Sequence, residues 1–397
     1  MNRRNCILDI FSGHIFLGGM VTVLLIVMTI FGHSCIEPYM AAIDDEPELI
    51  TIEGSIIKGN QLQWVVVSKT SSLNNPDFIP VRGCQVSIID ELSNEFVFEE
   101  YMKGAYILEI EDDQLVVGRR YKLAVSTPEG DEYESAYEAL QNGVAIDSIY
   151  YNIEERVQSY SGNELEGIRF FVDINAPDTI SRYFRWKITE TYEYTSYGPI
   201  SYFYYDTSLE PVPPDDIWGV YRCWMTEDLQ DLYLTSTTNL TVNEKKKVPL
   251  NYVSTETDRL NIKYSLLVNQ YSLEENAYNY FMQNKIATDG SGGLYTSQPQ
   301  QPLTNLYNVN DPSERVLGYF WLSSVTKWRI MVPRINSLQV NDHFYPIETF
   351  NMEDHADGPF PLYIMEEPAT GVRLTGSPYC FDCTRRGGTT TRPSYWD

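Results

Sequence analysis

The first 35 residues constrain this chain more than any other stretch, because they indicate on which side of a membrane the rest must fold. A short basic start at Arg3 and Arg4 precedes an apolar run of 17 residues, from Ile15 to Phe31, and Cys35 follows where the apolar character ends. A basic head, an apolar stretch and small residues before a cut are typical of a secretory signal. A cut directly before a cysteine predicts residues 1–34 as a lipoprotein signal peptide and Cys35 as the acylated residue.

An uncleaved membrane anchor is the alternative interpretation, because 17 apolar residues lie at the short edge of what spans a bilayer. The residues before the cysteine, Gly32 to Ser34, form a loose processing site. Several acyl chains on Cys35 would bind the bilayer firmly, whereas a single chain is marginal. No second apolar stretch approaches membrane-spanning length, so we expect residues 35–397 to lie on one side of a membrane.

The charge balance excludes one class of partner. The chain has 29 basic and 55 acidic side chains, and without residues 1–34 it keeps 27 and 54, a net charge of about −27. Nucleic-acid binding requires basic patches that neutralise phosphate, so we expect no nucleic-acid partner. The acidic surface favours solubility, with cation binding as the functional alternative. Acidic side chains within residues 35–46 predict a solvated tether after the anchor.

The composition predicts a mainly β fold. The chain has 30 Tyr, 16 Phe and 7 Trp and is rich in Thr and Ser, which favours strands over helices. Residues 47–140 read as a small β-sandwich, in which Tyr121, Leu123 and Val125 share one face of a strand. The order of these strands resembles immunoglobulin-like, prealbumin-like and carboxypeptidase-regulatory-like sandwiches, modules that mostly act as scaffolds.

A larger aromatic-rich β domain is predicted over residues 141–345, with one inserted helix near residues 272–289. Ser272 and Glu275 have the spacing of a capping box that would start this helix. Residues 346–397 form a C-terminal segment that ends in Tyr395 and Trp396. An aromatic pair at a chain end indicates that the tail is docked on the main domain.

Four cysteines follow Cys35, and an exported protein meets oxidising conditions that favour disulfides. They are Cys84, Cys223, Cys380 and Cys383. Cys380 and Cys383 could pair with each other, or one of them could pair with Cys223 and close a long loop. A redox motif is the functional alternative, but the sequence around Cys380 lacks the βαβ pattern of thioredoxin-like proteins.

Catalysis receives little support, and we predict a protein that is not an enzyme and needs no cofactor. The chain has no G-x-S-x-G elbow, no phosphate-binding Gly-Lys loop and no dinucleotide fingerprint. His343 and His355 lie near Asp342, Glu353 and Asp354, but their spacing matches no zinc pattern. We therefore predict no catalytic residue and no metal site.

Aromatic side chains are the remaining candidates for a binding surface. Most of them are expected to fill the β cores, but one run has too many adjacent aromatics for a single strand face and precedes an exposed Pro/Asp loop at residues 211–216. The predicted ligand or partner surface comprises Tyr202, Phe203, Tyr204, Tyr205 and Trp218. It lies within a Tyr-rich, concave region expected at residues 192–224.

The order of several short motifs along the chain resembles one family, the Bacteroidota outer-membrane lipoproteins of domain-of-unknown-function family 4249. The motifs are Cys35-Ile36-Glu37-Pro38-Tyr39, Arg185-Trp186, Cys223-Trp224, Val316-Leu317-Gly318-Tyr319-Phe320, Cys380-Phe381-Asp382-Cys383, Gly387-Gly388 and Pro393-Ser394-Tyr395-Trp396. The resemblance implies lipid anchoring at the outer membrane beside a TonB-dependent transporter, as a capture or lid subunit. It implies no catalytic residue, and the step to a role is an analogy.

We therefore expect a lipid-anchored accessory or ligand-binding protein that works with a TonB-dependent transporter in nutrient uptake. Its partners would be the transporter, the bilayer through Cys35, and a small-molecule, oligosaccharide or peptide ligand. The face of the outer membrane, cell surface or periplasmic, is left open. The alternatives are a structural or assembly factor of an outer-membrane complex and a surface hydrolase of glycans or peptides.

Overall fold

Strands dominate the fold, as the composition predicts. The computed structural model describes residues 48–71, 77–157, 164–205, 208–289, 303–340, 346–354 and 362–396. The predicted signal peptide, Cys35, the tether up to residue 46, His343 and His355 lie outside these residues.

The strands and helices follow one another along the chain with short connections. The first ten strands are β1 (Ile50–Lys58), β2 (Leu62–Lys69), β3 (Ile79–Pro80), β4 (Gln85–Asp90), β5 (Glu95–Val97), β6 (Glu99–Met102), β7 (Ala105–Glu109), β8 (Arg120–Ser126), β9 (Glu132–Ser135) and β10 (Glu138–Ala139). The next nine are β11 (Ser148–Val157), β12 (Glu164–Asn175), β13 (Tyr183–Thr195), β14 (Tyr202–Tyr205), β15 (Ser208–Pro211), β16 (Arg222–Asp228), β17 (Tyr233–Ser236), β18 (Glu244–Ser254) and β19 (Lys263–Leu273). The remainder are helix α1 (Glu275–Asp289), β20 (Leu306–Asn308), β21 (Leu317–Pro333), β22 (Ile347–Thr349), β23 (Leu362–Glu366), β24 (Arg373–Gly376) and helix α2 (Pro378–Phe381), with 3-10 turns at Asp258–Leu260 and Cys383–Arg386.

One long strand, β21, joins two halves of a ten-stranded sheet. Its first part runs parallel to β1, with Thr51 opposite Leu317 and Lys58 opposite Ser324. Its second part runs antiparallel to β19, starting from the pair formed by Val325 and Tyr271. The main path of the sheet is β16-β13-β19-β21-β1-β2-β7-β6, and β17 and β3 pair at its sides. A single strand therefore carries the hydrogen-bond ladder from one half to the other.

The N-terminal half forms the predicted β-sandwich. Its second layer is a six-stranded sheet in the order β20-β9-β8-β4-β5, with β10 paired to β8. Tyr121, Leu123 and Val125 point into the core as their alternation predicts, with at most 3% of each side chain exposed. Phe320 and Leu322 of β21 complete the same core. The core of the sandwich is thus completed by β21, which lies far from strands β1 to β10 in the sequence.

The second half packs the ten-stranded sheet against a three-stranded sheet, β11-β12-β18. Phe184, Trp186 and Ile188 of β13 face Ile168 and its neighbours in one buried cluster. The Trp186 indole donates a hydrogen bond of 3.0 Å to the Gln270 side chain, so its polar atom is satisfied inside the core. A five-stranded sheet, β15-β14-β23-β24-β22, completes the described strands.

The predicted inserted helix exists as α1, but the capping prediction is wrong. Ser272 remains in β19, and its hydroxyl has no hydrogen-bond partner among the described residues. The first helical hydrogen bond runs from Tyr278 N to Glu274 O, over 3.0 Å, so the helix begins at Glu275. The strand ladder holds Ser272 in extended backbone and thereby overrides the local capping signal. The helix packs with Ala277 and Phe281 against Tyr271 and Tyr319.

The predicted domain boundaries, between residues 140 and 141 and between residues 345 and 346, remain predictions. Residues 48–396 belong to one compact unit, and β21 supplies side chains to three buried clusters within it.

The seam between β1 and β21 depends on Gly318, and we predict that Gly318→Ala destabilises the protein by roughly 2–5 kcal/mol. Gly318 has φ +94°, and a Cβ atom there would lie 2.0 Å from the Ile52 carbonyl oxygen. The measurement is the free energy of unfolding by urea denaturation. Gly130→Ala is the matched control, because Gly130 has φ +97° and a Cβ atom there would have no atom of the described residues beyond its chain neighbours within 4 Å. Equal losses in the two variants would contradict the close approach at the seam.

Candidate functional site

The predicted aromatic run forms strand β14, whose two faces are both covered. Tyr204 packs with Leu362 and Ile364 on one face. Phe203 packs with Tyr363 on the other, where their ring centroids are 5.5 Å apart. Two covered faces explain why consecutive residues of this strand are aromatic.

The expectation of an exposed run is therefore wrong for Tyr204, which is only 1% exposed. Tyr202 is partly buried beneath Arg373, whose guanidinium carbon lies 4.7 Å from the ring centroid. Tyr205 keeps 42% of its surface exposed. Tyr192 and Tyr194 lie in the region expected to form the concave surface, but both are buried. Their side chains point into the core between the ten-stranded and the three-stranded sheets.

Trp218 is exposed and belongs to a group of aromatic side chains that extends from the predicted region 192–224 to Tyr379, which sequence reasoning missed. Trp218 is 58% exposed, and its ring meets Tyr221 edge-on at a centroid distance of 4.8 Å. Tyr197 and Tyr379 are 43% and 46% exposed. We call Tyr197, Trp218, Tyr221 and Tyr379 the aromatic face.

Backbone hydrogen bonds bring the segments of the aromatic face together. Ser196 N donates to Tyr221 O over 2.8 Å, and Tyr197 N donates to Cys380 O over 2.7 Å. Cys383 N donates to Val220 O over 3.0 Å, which ties the C-terminal segment to the same loop. Because these bonds join residues separated by up to about 180 positions, no local sequence signal could have revealed the grouping.

A disulfide lies behind the aromatic face and settles one of the alternatives left open by the sequence. Cys223 and Cys383 are joined across a sequence separation of 160 residues. Cys380 is a buried thiol outside this bond, and Cys84 is a second buried thiol. Burial raises the pKa of the Cys84 thiol, which disfavours the reactive thiolate.

The tail beyond the disulfide pairs with the edge of the large sheet. Trp224 of edge strand β16 and Thr389 exchange two backbone hydrogen bonds of 2.8 and 2.9 Å. The Trp396 indole donates to Glu193 over 2.7 Å, and only 2% of Trp396 is exposed. An open edge strand can pair with other chains, so the tail protects the sheet.

A second cluster, missed by sequence reasoning, lies where α1 begins. Glu138 is 3% exposed and accepts hydrogen bonds from Tyr319 OH, at 2.7 Å, and from the Asn305 amide, at 3.2 Å. Glu274 lies within hydrogen-bonding distance of Glu138 and also accepts from Ala139 N. Burial, followed by the contact with Glu274, raises the pKa of Glu138 to about 8. The raised pKa favours the protonated form of Glu138 at the place where β10 meets the start of α1.

An open cleft of about 420 Å³ adjoins this pair. Arg182, Tyr183, Glu274 and Glu275 lie among its lining residues, and Arg182 is paired with Asp178 at 2.6 Å. The hydrogen-bonded carboxyl groups are closer than the roughly 5 Å or more that separates a glycosidase pair. The arrangement can position α1 and sense pH, but it does not present two separated carboxylates to a substrate.

Within the described ranges, no group of three or more His, Cys, Asp or Glu side chains could hold a metal ion. Among those same residues, no helix has the length and apolar character needed to cross a membrane.

The disulfide yields a testable prediction. Replacing Cys223 and Cys383 together by serine is expected to cost roughly 4–5 kcal/mol of unfolding free energy, because the bond closes a long loop in the unfolded chain. Denaturation with and without reductant measures this loss, and reductant should destabilise only chains that carry the bond. Cys380→Ser is the matched control and should keep the wild-type response to reductant. A Cys380–Cys383 bond in non-reducing peptide maps would contradict the pairing.

The carboxyl pair yields a pH-dependent prediction. In the unfolded chain Glu138 titrates near its ordinary value of 4.5, and in the fold at about 8. The folded state therefore binds more protons between these values, so stability falls as the pH rises from about 5 to about 8. Glu138→Gln, which mimics the protonated form, should flatten this part of the stability curve measured by urea denaturation. Glu109→Gln, at an exposed position of β7, should leave the slope unchanged.

Comparison with known proteins places the chain in a family but assigns it no activity. No curated protein matches it. The family model described as "Domain of unknown function (DUF4249)" matches residues 36–329, which is more than half of the chain. The match begins at the residue after Cys35 and ends within β21. The chain therefore belongs to the DUF4249 family.

Proposed function

We propose that this protein is a lipid-anchored accessory or ligand-binding protein of the outer membrane, which works with a TonB-dependent transporter in nutrient uptake. The observation that carries the proposal is the start of the family match at residue 36, directly after Cys35. The family domain thus excludes the apolar run and begins where an acylated cysteine would become the first residue of the mature chain. Acyl chains on Cys35 would hold the β body at the bilayer surface.

The disulfide supports export. A bond between Cys223 and Cys383 requires an oxidising compartment, such as the periplasm or the cell surface. The net charge of about −27 outside residues 1–34 supports a soluble body, which an anionic bilayer surface would repel. The body is then free to contact a transporter or a ligand above the membrane.

The aromatic face supports a contact role. Tyr and Trp rings are rigid, lose little conformational entropy on binding and combine apolar area with a polar edge. Trp218 is the most exposed ring of this group at 58%. The disulfide and the backbone hydrogen bonds hold the surrounding segments, so a partner would meet a preorganised surface.

A structural or assembly factor is the second candidate function, and one surface feature favours it. Trp64 and Tyr101 meet edge-on at 5.8 Å on strands β2 and β6, and they are 41% and 62% exposed. Leu62 and Met102 add further exposed apolar surface on the same strands. A contiguous apolar patch of this kind is typical of a protein interface. The hydrolase alternative gains no support from the carboxyl pair of Glu138 and Glu274.

Affinity purification of the tagged protein from detergent-solubilised outer membranes tests the proposal. A TonB-dependent transporter is expected in stoichiometric amount, identified by mass spectrometry. Cys35→Ser should release the protein into the soluble fraction, because acylation is lost, whereas Cys6→Ser should leave it membrane-bound. A double variant with alanine at Tyr197 and Trp218 should stay membrane-bound and recover less transporter.

Two outcomes would overturn the proposal. Membrane attachment that survives Cys35→Ser would contradict the lipid anchor and favour the uncleaved apolar segment. Recovery of the wild-type protein without a transporter, together with unchanged nutrient uptake in a deletion strain, would contradict the uptake role.

A further inference from the structure

Beneath α1 lies a guanidinium group that pairs with no carboxylate of the described residues. Arg185 belongs to β13 and points away from the core that Phe184 and Trp186 fill, toward the helix. Its Cζ atom lies 4.1 Å from the ring centroid of Phe281 and 5.1 Å from that of Trp321. Aromatic rings from α1 and β21 therefore surround the charged group.

The aromatic rings around Arg185 also contact one another. A third ring, Tyr271 of β19, lies 5.8 Å from Cζ. Trp321 meets Phe281 at a centroid distance of 5.3 Å and an angle of 90°, and it meets Tyr271 at 5.5 Å and 86°. Perpendicular ring pairs are a favoured geometry, so the surround is rigid. We call Arg185, Tyr271, Phe281 and Trp321 the arginine cage.

Arg185 differs from most arginines of the described chain. Eight others pair with a carboxylate: Arg119, Arg169, Arg182, Arg222, Arg259, Arg373, Arg385 and Arg386. Among the described residues, Arg185 Nε has neither solvent contact nor a hydrogen-bond partner, while the residue as a whole is only partly buried. The segment 290–302, which follows α1 directly, contains no Asp or Glu that could supply an anion.

The energetics of such a group favour an incoming anion. Partial burial removes hydration from a cation, which is costly unless a hydrogen-bonded counter-ion replaces it. Ring faces attract the guanidinium but accept no strong hydrogen bond. Burial also lowers the pKa of Arg185, as expected for a cation without a carboxylate beside it.

We propose that the arginine cage binds a monocarboxylate with an apolar body, held by the terminal nitrogens of Arg185. The planar fork of a guanidinium matches a carboxylate, which can accept two parallel hydrogen bonds. The cage supplies one cation, and the acidic protein repels multiply charged anions, so a singly charged ligand fits better than phosphate or sulfate. The aromatic rings would contact the apolar body of the ligand. This site goes beyond the proposed function, since it requires neither Cys35 nor a transporter.

Titration of the soluble protein, residues 36–397, with benzoate tests the proposal by thermal unfolding. A ligand that binds only the folded state raises the melting temperature as its concentration increases. Benzoate should raise it, whereas benzamide, a neutral analogue of the same shape, and sulfate at equal ionic strength should not. The Nε–H signal of Arg185 in a ¹H–¹⁵N spectrum should move with saturable dependence on benzoate. Loss of this signal in Arg185→Lys assigns it.

The variants separate a binding site from a structural contact. Arg185→Lys keeps the charge but loses the planar fork, so benzoate affinity should fall at least tenfold. Arg334→Lys, at an exposed position, is the matched control and should bind like the wild type. If Arg185→Lys fails to fold, the comparison of benzoate with benzamide on the wild-type protein still decides. An Arg185 signal that benzoate leaves unmoved, or equal responses to benzoate and sulfate, would overturn the proposal.

Discussion

The fold depends on β21, which joins the two halves of the ten-stranded sheet. Its first part completes the N-terminal sandwich through Phe320 and Leu322, and its second part pairs with β19 in the other half of the sheet. Parallel pairing with β1 brings together residues more than 260 positions apart, so this contact closes a very large loop of chain. Because the strand is continuous, a shift of register in one half would also displace the other. Gly318 allows the required approach to Ile52 at a point where any side chain would collide with the backbone.

The edge of the ten-stranded sheet at β16 is protected by the C-terminal tail. Strand β16 presents an edge that the C-terminal tail pairs with and the disulfide fixes. Gly388 permits this contact, because a Cβ atom there would lie 2.3 Å from the Tyr194 hydroxyl and 2.9 Å from the Cys223 Cβ. The tail therefore packs closely against the sheet. The disulfide that fixes the tail also positions the loop that carries Trp218. Protection of the edge and presentation of the aromatic face are consequences of the same covalent link.

Local patterns predicted much of the fold, whereas the sites depend on contacts that no local pattern encodes. Period-two alternation located the strand around Tyr121 correctly, because the burial of one strand face determines the pattern of neighbouring residues. The helix was also predictable, but Ser272 was misread as its cap because strand pairing outweighs a capping signal. The aromatic run of β14 was read as exposed, since sequence alone does not show that a strand is covered on both faces. The environment of Glu138 is formed by Glu274 and Tyr319, which lie about 135 and 180 positions away in the sequence. No local motif could therefore have indicated it.

Helix α1 lies close to two polar groups in unusual environments, the Glu138 carboxyl and the Arg185 guanidinium. It lies over the shared strand, where Tyr280 stacks on Tyr319 at 4.8 Å. Near its start the Glu138 carboxyl is buried and its pKa is raised, and beneath its middle the Arg185 guanidinium pairs with no carboxylate of the described residues. An Arg–Glu pair would satisfy both groups, yet the carboxyl group lies on β10 and the guanidinium on β13. Stability alone does not favour this separation, because each group is costly to bury in isolation. A binding site for an anion requires this separation, because a cation that is already paired with a carboxylate of its own chain attracts an anionic ligand only weakly.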